Sequence, residues 1–295
     1  MHNNENSYIT SSKRLFITIA LNFLVTLTEI VGGIISGSLA LISDAMHNFS
    51  DGVAVIITYI ALRLSKKPKT IKYTFGLKRA EIIAAILNAS TLIIISFFLI
   101  KEAIERLYTP SKISGDLMLV VAIIGLLANV VGTLLLKKDS KANINIRAAY
   151  FHLLSDVFSS IAVIIGAIFI IYYEIYWIDP VLTILISLYI LRETYKIVKE
   201  SIDILMMSNP EEIDLHEIKD IVEKIPGVNN IHHIHLWKLN DVEKHFEAHI
   251  EVEDMIISKT TEIQNKIELE LKKRYNINHL TLQFECGKCE EKKIL

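Results

Sequence analysis

His47 and Asp51 lie in DAMHNFSDGVAVII, and His152 and Asp156 in YFHLLSDVFSSIAVII. Each pair has the form H-x-x-x-D, a spacing that puts both side chains on one face of a helix. Both stretches are otherwise apolar enough to read as membrane helix, where an ionisable group is costly and functional by default. Two imidazoles and two carboxylates make a four-coordinate set of the kind Zn²⁺ takes. One copy would say little: a lone His inside a membrane more often hydrogen-bonds a neighbouring helix, and a lone Asp near a helix end caps it or faces water. The recurrence on two helices is what points to one shared site.

The chemistry follows from charge. Two ionised Asp residues are neutralised by one divalent cation. The same site left empty carries uncompensated charge and takes up protons on Asp or His instead. Metal and protons therefore compete for the same atoms, and such a site, open to either side in turn, is the core of an antiporter. A mixed N₂O₂ set favours Zn²⁺, with Cd²⁺ and Co²⁺ as alternative passengers, whereas all-oxygen sets suit Mg²⁺, Ca²⁺ and Mn²⁺.

The elements that must position these residues are helices across a bilayer. Of 295 residues 52% are hydrophobic and 22% charged, with a mean hydropathy of +0.40. The charges concentrate in the last third, which predicts a membrane domain followed by a soluble one. A net charge of −2 excludes the basic surface of a nucleic-acid binder. About 20 apolar residues are needed per span, and six candidates appear, roughly over 15–36, 39–64, 80–107, 115–136, 148–172 and 178–205. The start, MHNNENSYITSS, lacks a signal-peptide layout. Lys and Arg crowd the second and fourth connections and are missing from the first and fifth. By the positive-inside rule both termini are cytoplasmic, and an even number of spans agrees. The expected organisation is a cytoplasmic N-terminal tail (1–14), a six-span transmembrane domain (15–207), a cytoplasmic domain (208–285) and a C-terminal tail (286–295). His152 falls close to the start of the fifth apolar run while His47 sits deep in the second. For the pairs to meet, the fifth helix must begin earlier, near Lys141.

Other intramembrane polar residues invite a reading. Asp44, one turn before His47, either lines the outer pathway or caps the helix after Ser43. Glu29 must face the bundle or a water cavity. Asn22, Asn88 and Asn129 read as glue between helices, and Gly32, Gly33 and Gly125 as points of close helix contact.

The polar tail reads α-β-β-α-β: a helix in EEIDLHEIKDIVEKI ended by PGV, strands in NNIHHIHLWKL and KHFEAHIEVE about a turn at Asn240-Asp241, a helix in SKTTEIQNKIELELKKRY and a strand in NHLTLQFE. This order resembles a ferredoxin-like, metallochaperone-type domain. Alternation sends Phe246, Ala248, Ile250 and Val252 to one face, with Leu280, Leu282 and Phe284, and His245, His249, His279, Gln283 and Glu285 to the other. His232, His233 and His235 add imidazoles. A polar sheet face is either solvated, a dimer contact or a metal site, and the His density favours the last as much as the others. Cys286 and Cys289 make a single C-x-x-C and no disulfide framework; a loose tail and a zinc ligand offered to a partner subunit both fit.

SGSLALISDAMHNFSDG, YTFGLKRAEIIAA and FHLLSDVFSS resemble the cation diffusion facilitator family, in its zinc-transporting branch, over nearly the whole chain. Members selective for iron or manganese look different, with Asp at the His47 position. The resemblance implies a homodimer that exports cytoplasmic Zn²⁺ in exchange for protons, with His47, Asp51, His152 and Asp156 as the transport site; compact loops and the absence of organellar signals point to a bacterial plasma membrane. It also implies a regulatory zinc site in the cytoplasmic domain at His232, His249 and Glu285, with Gln283 a further ligand position, and no organic cofactor. Some relatives carry a second metal site after the second span; here Tyr73 and Leu77 stand where His would be expected, so that site is expected to be absent. The loop KKDSKANINIR has no His for metal collection. The alternatives are an intramembrane zinc enzyme, against which no H-E-x-x-H occurs, and a non-transporting metal sensor, which leaves the membrane tetrad unexplained. No G-x-x-x-x-G-K-[ST] stands in the tail, so ATP is not the implied energy source.

Overall fold

The computed structural model describes residues 20–137, 144–287 and 294, apart from the side chains of 55, 58, 62 and 144–149. The chain divides into two compact units, residues 1–59 with 86–198, and residues 60–85 with 199–295.

The first unit is helical: α1 (Ala20–Ser36), α2 (Leu39–Ser65), α3 (Ala80–Tyr108), α4 (Gly115–Leu136), α5 (Ile144–Tyr173) and α6 (Ile178–Leu205), of which α2, α3 and α6 run on into the second unit. Each lies over an expected segment. By length and hydropathy α2, α3, α4 and the 150–173 part of α5 are able to cross a membrane. The described part of α1 is a shorter apolar helix, and residues 15–19 of that expected span lie outside the described residues. α6 differs from expectation in character: its apolar run ends at Leu191, and Arg192, Glu193, Lys196, Lys199, Glu200 and Asp203 follow. Phe97, Phe98, Leu134, Phe158 and Leu185 are among many large apolar side chains left exposed, as a lipid-facing surface requires. α5 is described from Ile144, four residues ahead of the apolar run; Lys141, the expected start, lies outside the described residues.

One end of this unit is stitched by polar contacts. α1 and α2 join through Gly37, whose φ of +77° suits a residue without Cβ. Asp179, at the start of α6, accepts from Ser38 Oγ (2.5 Å), Leu39 N (2.8 Å) and Ala40 N (3.2 Å). It thereby caps the first turn of α2 from another helix. Arg106 of α3 donates to Gly37 O, and Ser114 N donates to Ser36 O. Farther in, small residues let helices approach. A Cβ on Gly32 would lie 2.4 Å from Val121 Cγ2, and one on Gly125 would lie 2.6 Å from Glu29 Oε1. The apolar core joins Ala40 and Leu41 of α2, Met118, Val121 and Ala122 of α4, and Val163, Ala167 and Ile170 of α5.

The second unit contains α7 (Leu215–Val222), β1 (Asn230–Lys238), β2 (Lys244–Glu251), α8 (Ile257–Tyr275) and β3 (His279–Glu285), in the expected α-β-β-α-β order. The sheet is mixed, with β2 central, antiparallel to β1 and parallel to β3. Phe246, Ala248 and Ile250 are fully buried against Ile218, Val222, Ile263, Ile267 and Leu271 of the helices, so the apolar face is the expected one. The helix expected over 211–225 is shorter. Asp214 accepts from His216 N at 2.8 Å and caps α7, which leaves Glu211, Glu212 and Ile213 outside it. The turn expected at Asn240-Asp241 is held by Asn240 Oδ1, which accepts from Val242 N and Glu243 N.

Candidate metal centre

The i,i+4 spacing works as the sequence implied. Along α2, His47 Nε2 lies 3.6 Å from Asp51 Oδ2; along α5, His152 Nε2 lies 3.7 Å from Asp156 Oδ2. The two pairs meet: His152 Nε2 is 3.1 Å from Asp51 Oδ2, and the rings of His47 and His152 stand edge to face with centroids 5.6 Å apart. One ligand atom each from His47, His152 and Asp156 lie within 4.8 Å of one another, and Asp51 joins through both imidazoles. With metal–ligand bonds of about 2.0–2.2 Å, the edges of a tetrahedral site measure roughly 3.3–3.5 Å, so the separations found bracket that value.

His152 Nε2 and Asp51 Oδ2 approach to ion-pair distance. His152 Nε2, Asp51 Oδ2, Asp156 Oδ2 and His47 Nδ1 are buried atoms with no hydrogen-bond partner among the described residues. Imidazole and carboxylate groups gathered at these distances are able to hold a metal ion. A cavity of about 300 Å³ opens beside them, lined by Asp44, His47, Asp156 and Ser159 on one side and by Leu182, Ile186 and Ile190 of α6 on another.

Asp44 is buried and accepts from Ser159 Oγ at 2.6 Å. It lies inside α2, which begins at Leu39, so the capping alternative is corrected: it faces the cavity. Ser159 itself escaped the sequence reading, although it stands three residues after Asp156 on the same face. Glu29 is buried, as expected, and accepts from Asn48 Nδ2 at 3.3 Å. Asn88 does join helices, accepting from Ser50 Oγ at 3.2 Å. Asn22 Oδ1 and Asn129 Nδ2 are buried without a hydrogen-bond partner among the described residues.

In the second unit His232, His249 and Glu285 come together, as the sequence resemblance implied. His232 Nε2 lies 2.8 Å and His249 Nδ1 3.4 Å from Glu285 Oε1. The other His232 nitrogen faces Asn230 Oδ1 at 3.1 Å, an outer contact of the kind that fixes a ligand ring. A bulge between His232 and His235, with His233 at φ +48°, makes Ile231 and His232 successive buried residues. Gln283 pairs with His249 in the strand register and is not among the three grouped ligands. His245 stacks on Trp237 and stands 4.3 Å, centroid to centroid, from His279. Burial and the neighbouring His279 hold its imidazole below the ordinary value. Cys286 is exposed; Cys289 lies outside the described residues.

Apolar helices able to cross a membrane carry a convergent imidazole–carboxylate cluster and are followed by a small mixed-sheet domain. The chain belongs to the cation efflux family: residues 15–206 match the cation efflux transmembrane domain and residues 210–286 the cytoplasmic domain of cation efflux proteins. This is a family of metal transporters, not of enzymes. The chain is 40% identical to a cadmium, cobalt and zinc/H(+)-K(+) antiporter of Bacillus subtilis, over 87% of this chain and 83% of that one. It is 38% identical to a zinc transporter of Pectobacterium atrosepticum (98% and 90%) and 35% identical to one of Escherichia coli (98% and 93%). A solved metal-bound C-terminal domain of the CzcD transporter from Cuprividus metallidurans is 27% identical over 25% of this chain and 99% of that one, with a TM-score of 0.23.

Proposed function

We propose that the chain exports Zn²⁺ from the cytoplasm, with Cd²⁺ and Co²⁺ as further passengers, in exchange for protons. The transport site is His47, Asp51, His152 and Asp156. The carrying observation is the convergence of their imidazole and carboxylate groups from α2 and α5. Two carboxylates balance one divalent ion, and when it leaves the same atoms take protons; the cavity beside Asp44 gives the ion a route. The relatives whose names speak of zinc and of proton antiport support the same substrate and counter-ion.

In this reading α1 to α6 all span the bilayer over residues 15–207, with 1–14 and both termini cytoplasmic, in a bacterial plasma membrane. The charged second half of α6 then extends beyond the membrane. Residues 208–285 form the cytoplasmic domain, with 286–295 as a tail. That domain pairs two copies of the chain, and Zn²⁺ at His232, His249 and Glu285 tightens the pair and senses the cytoplasmic metal.

The test is Zn²⁺ flux into proteoliposomes under an imposed pH gradient. The expected result is uptake that rises with the gradient and proton movement in the opposite direction. Zn²⁺ binding without gradient-dependent flux would contradict the proposal.

A further inference from the structure

Apart from α3, which carries Lys101 and Arg106, the apolar runs of this chain hold acids without Lys or Arg. No Lys or Arg occurs in residues 15–62, 113–136 or 148–191. Two of the carboxylates in these runs, Asp51 and Asp156, belong to the proposed transport site, and Asp44 lines its cavity. Glu29 stands apart, on α1, away from those ligands in sequence and contact.

Glu29 is 1% exposed. Its one described donor is the neutral amide of Asn48, and its Oε1 rests against α4 at Gly125, where any side chain would collide with it. The ionisable groups within its electrostatic reach are acids, Asp44 of α2 and Asp156 of α5; α4 has no ionisable residue between Asp116 and Lys137. Glu29 is thus a fully buried carboxyl group held by one neutral donor among the described residues. Around it lie amide atoms that the protein does not pair: Asn48 Oδ1 beside it, Asn129 Nδ2 one helical turn from Gly125, and Asn22 Oδ1 two turns earlier on the face of α1 that carries Glu29.

We infer that Glu29 is a proton-binding site separate from the metal ligands, loaded when the tetrad is empty and unloaded when a divalent cation occupies it. The inference rests on the transport reading above. The coupling is electrostatic: where Zn²⁺ replaces fewer than two protons at the tetrad, net positive charge is added near Glu29 and favours release of its proton, and departure of the metal reverses this. Loading is the addition of one proton to the Glu29 carboxylate and unloading its release to water, so proton uptake accompanies metal release, the direction antiport requires. Asn48, next to His47 on α2, links the two sites through one helix.

Glu29→Gln tests this because glutamine imitates the neutral acid and cannot release a proton. In the reconstituted full chain, protons displaced per bound Zn²⁺ should fall by about one, and by reciprocity Zn²⁺ affinity at constant pH should fall by about tenfold. The acceleration of flux by the pH gradient should fall by about tenfold. Glu29→Asp, which keeps a titratable group, should retain proton displacement and restore gradient-dependent flux. Equal proton displacement in Glu29→Gln and wild type would overturn the inference alone. So would loss of Zn²⁺ binding in both variants, since Glu29 would then only support the tetrad. A wild type that binds Zn²⁺ and moves none would overturn the transport reading and this inference together.

Discussion

Asp156 is the most enclosed of the four tetrad residues, 3% exposed, and its carboxylate faces His152 on its own helix while Asp51 reaches the same imidazole from α2. Removing it leaves three ligands and an imbalance of charge. Asp156→Ala should lower Zn²⁺ affinity by about a hundredfold or more, by analogy with losing a metal-site contact, and abolish flux, while the far-UV spectrum stays that of wild type. Wild-type flux in the variant, read in proteoliposomes, would remove Asp156 from the site. His152→Asp exchanges nitrogen for oxygen and should move selectivity toward Mn²⁺; competition between Mn²⁺ and Zn²⁺ for uptake reads this, and an unchanged Zn²⁺ preference contradicts it. His245 makes a different prediction. Its folded-state value is depressed, so the unfolded chain binds the extra proton first. Folded stability is whole above the ordinary imidazole value of about 6.5 and declines as pH falls below it toward the folded-state value. His245→Gln should therefore melt with less loss between pH 7 and 5 than wild type. Parallel losses in the two proteins would contradict this.

At the scale of elements, the cap that α6 provides for α2 is the most exacting contact. Asp179 accepts from a hydroxyl and two backbone amides, and Asp179→Ala should cost roughly 1–3 kcal/mol. Thermal unfolding in detergent checks it; a midpoint within a degree of wild type would show that the cap is dispensable. Gly32→Ala drives a methyl into Val121 and should cost about 1–3 kcal/mol by overpacking, read in the same experiment. The helices were legible because apolar runs of span length are hard to mistake, and the H-x-x-x-D pairs because the helical period puts both members on one side. What escaped has physical causes too. The bulge that buries His232 shifts register by a local backbone change that alternation does not encode. α7 is short because Asp214 competes for its first turn as a cap, and Asp44 kept its capping alternative although the second span was expected from residue 39, because Asp is a common capping type. Ser159 was missed because a serine in an apolar run carries little signal without the carboxylate it serves.

The whole molecule combines a membrane unit bearing one ligand cluster with a second unit bearing another, His232, His249 and Glu285. If the second cluster governs pairing of two chains, Zn²⁺ should strengthen the dimer and Glu285→Gln should remove that strengthening without touching flux at saturating Zn²⁺. Sedimentation of the purified chain with and without the metal decides it, and a Zn²⁺-independent monomer–dimer balance in wild type would refute it. The central claim concerns the first cluster, and anomalous X-ray scattering at the zinc edge from the Zn²⁺-loaded protein tests it most directly. The account predicts a peak bonded at about 2.0–2.2 Å to nitrogens of His47 and His152 and to carboxylate oxygens of Asp51 and Asp156. Zinc density found only in the second unit, with the tetrad unoccupied at saturating metal, would contradict it.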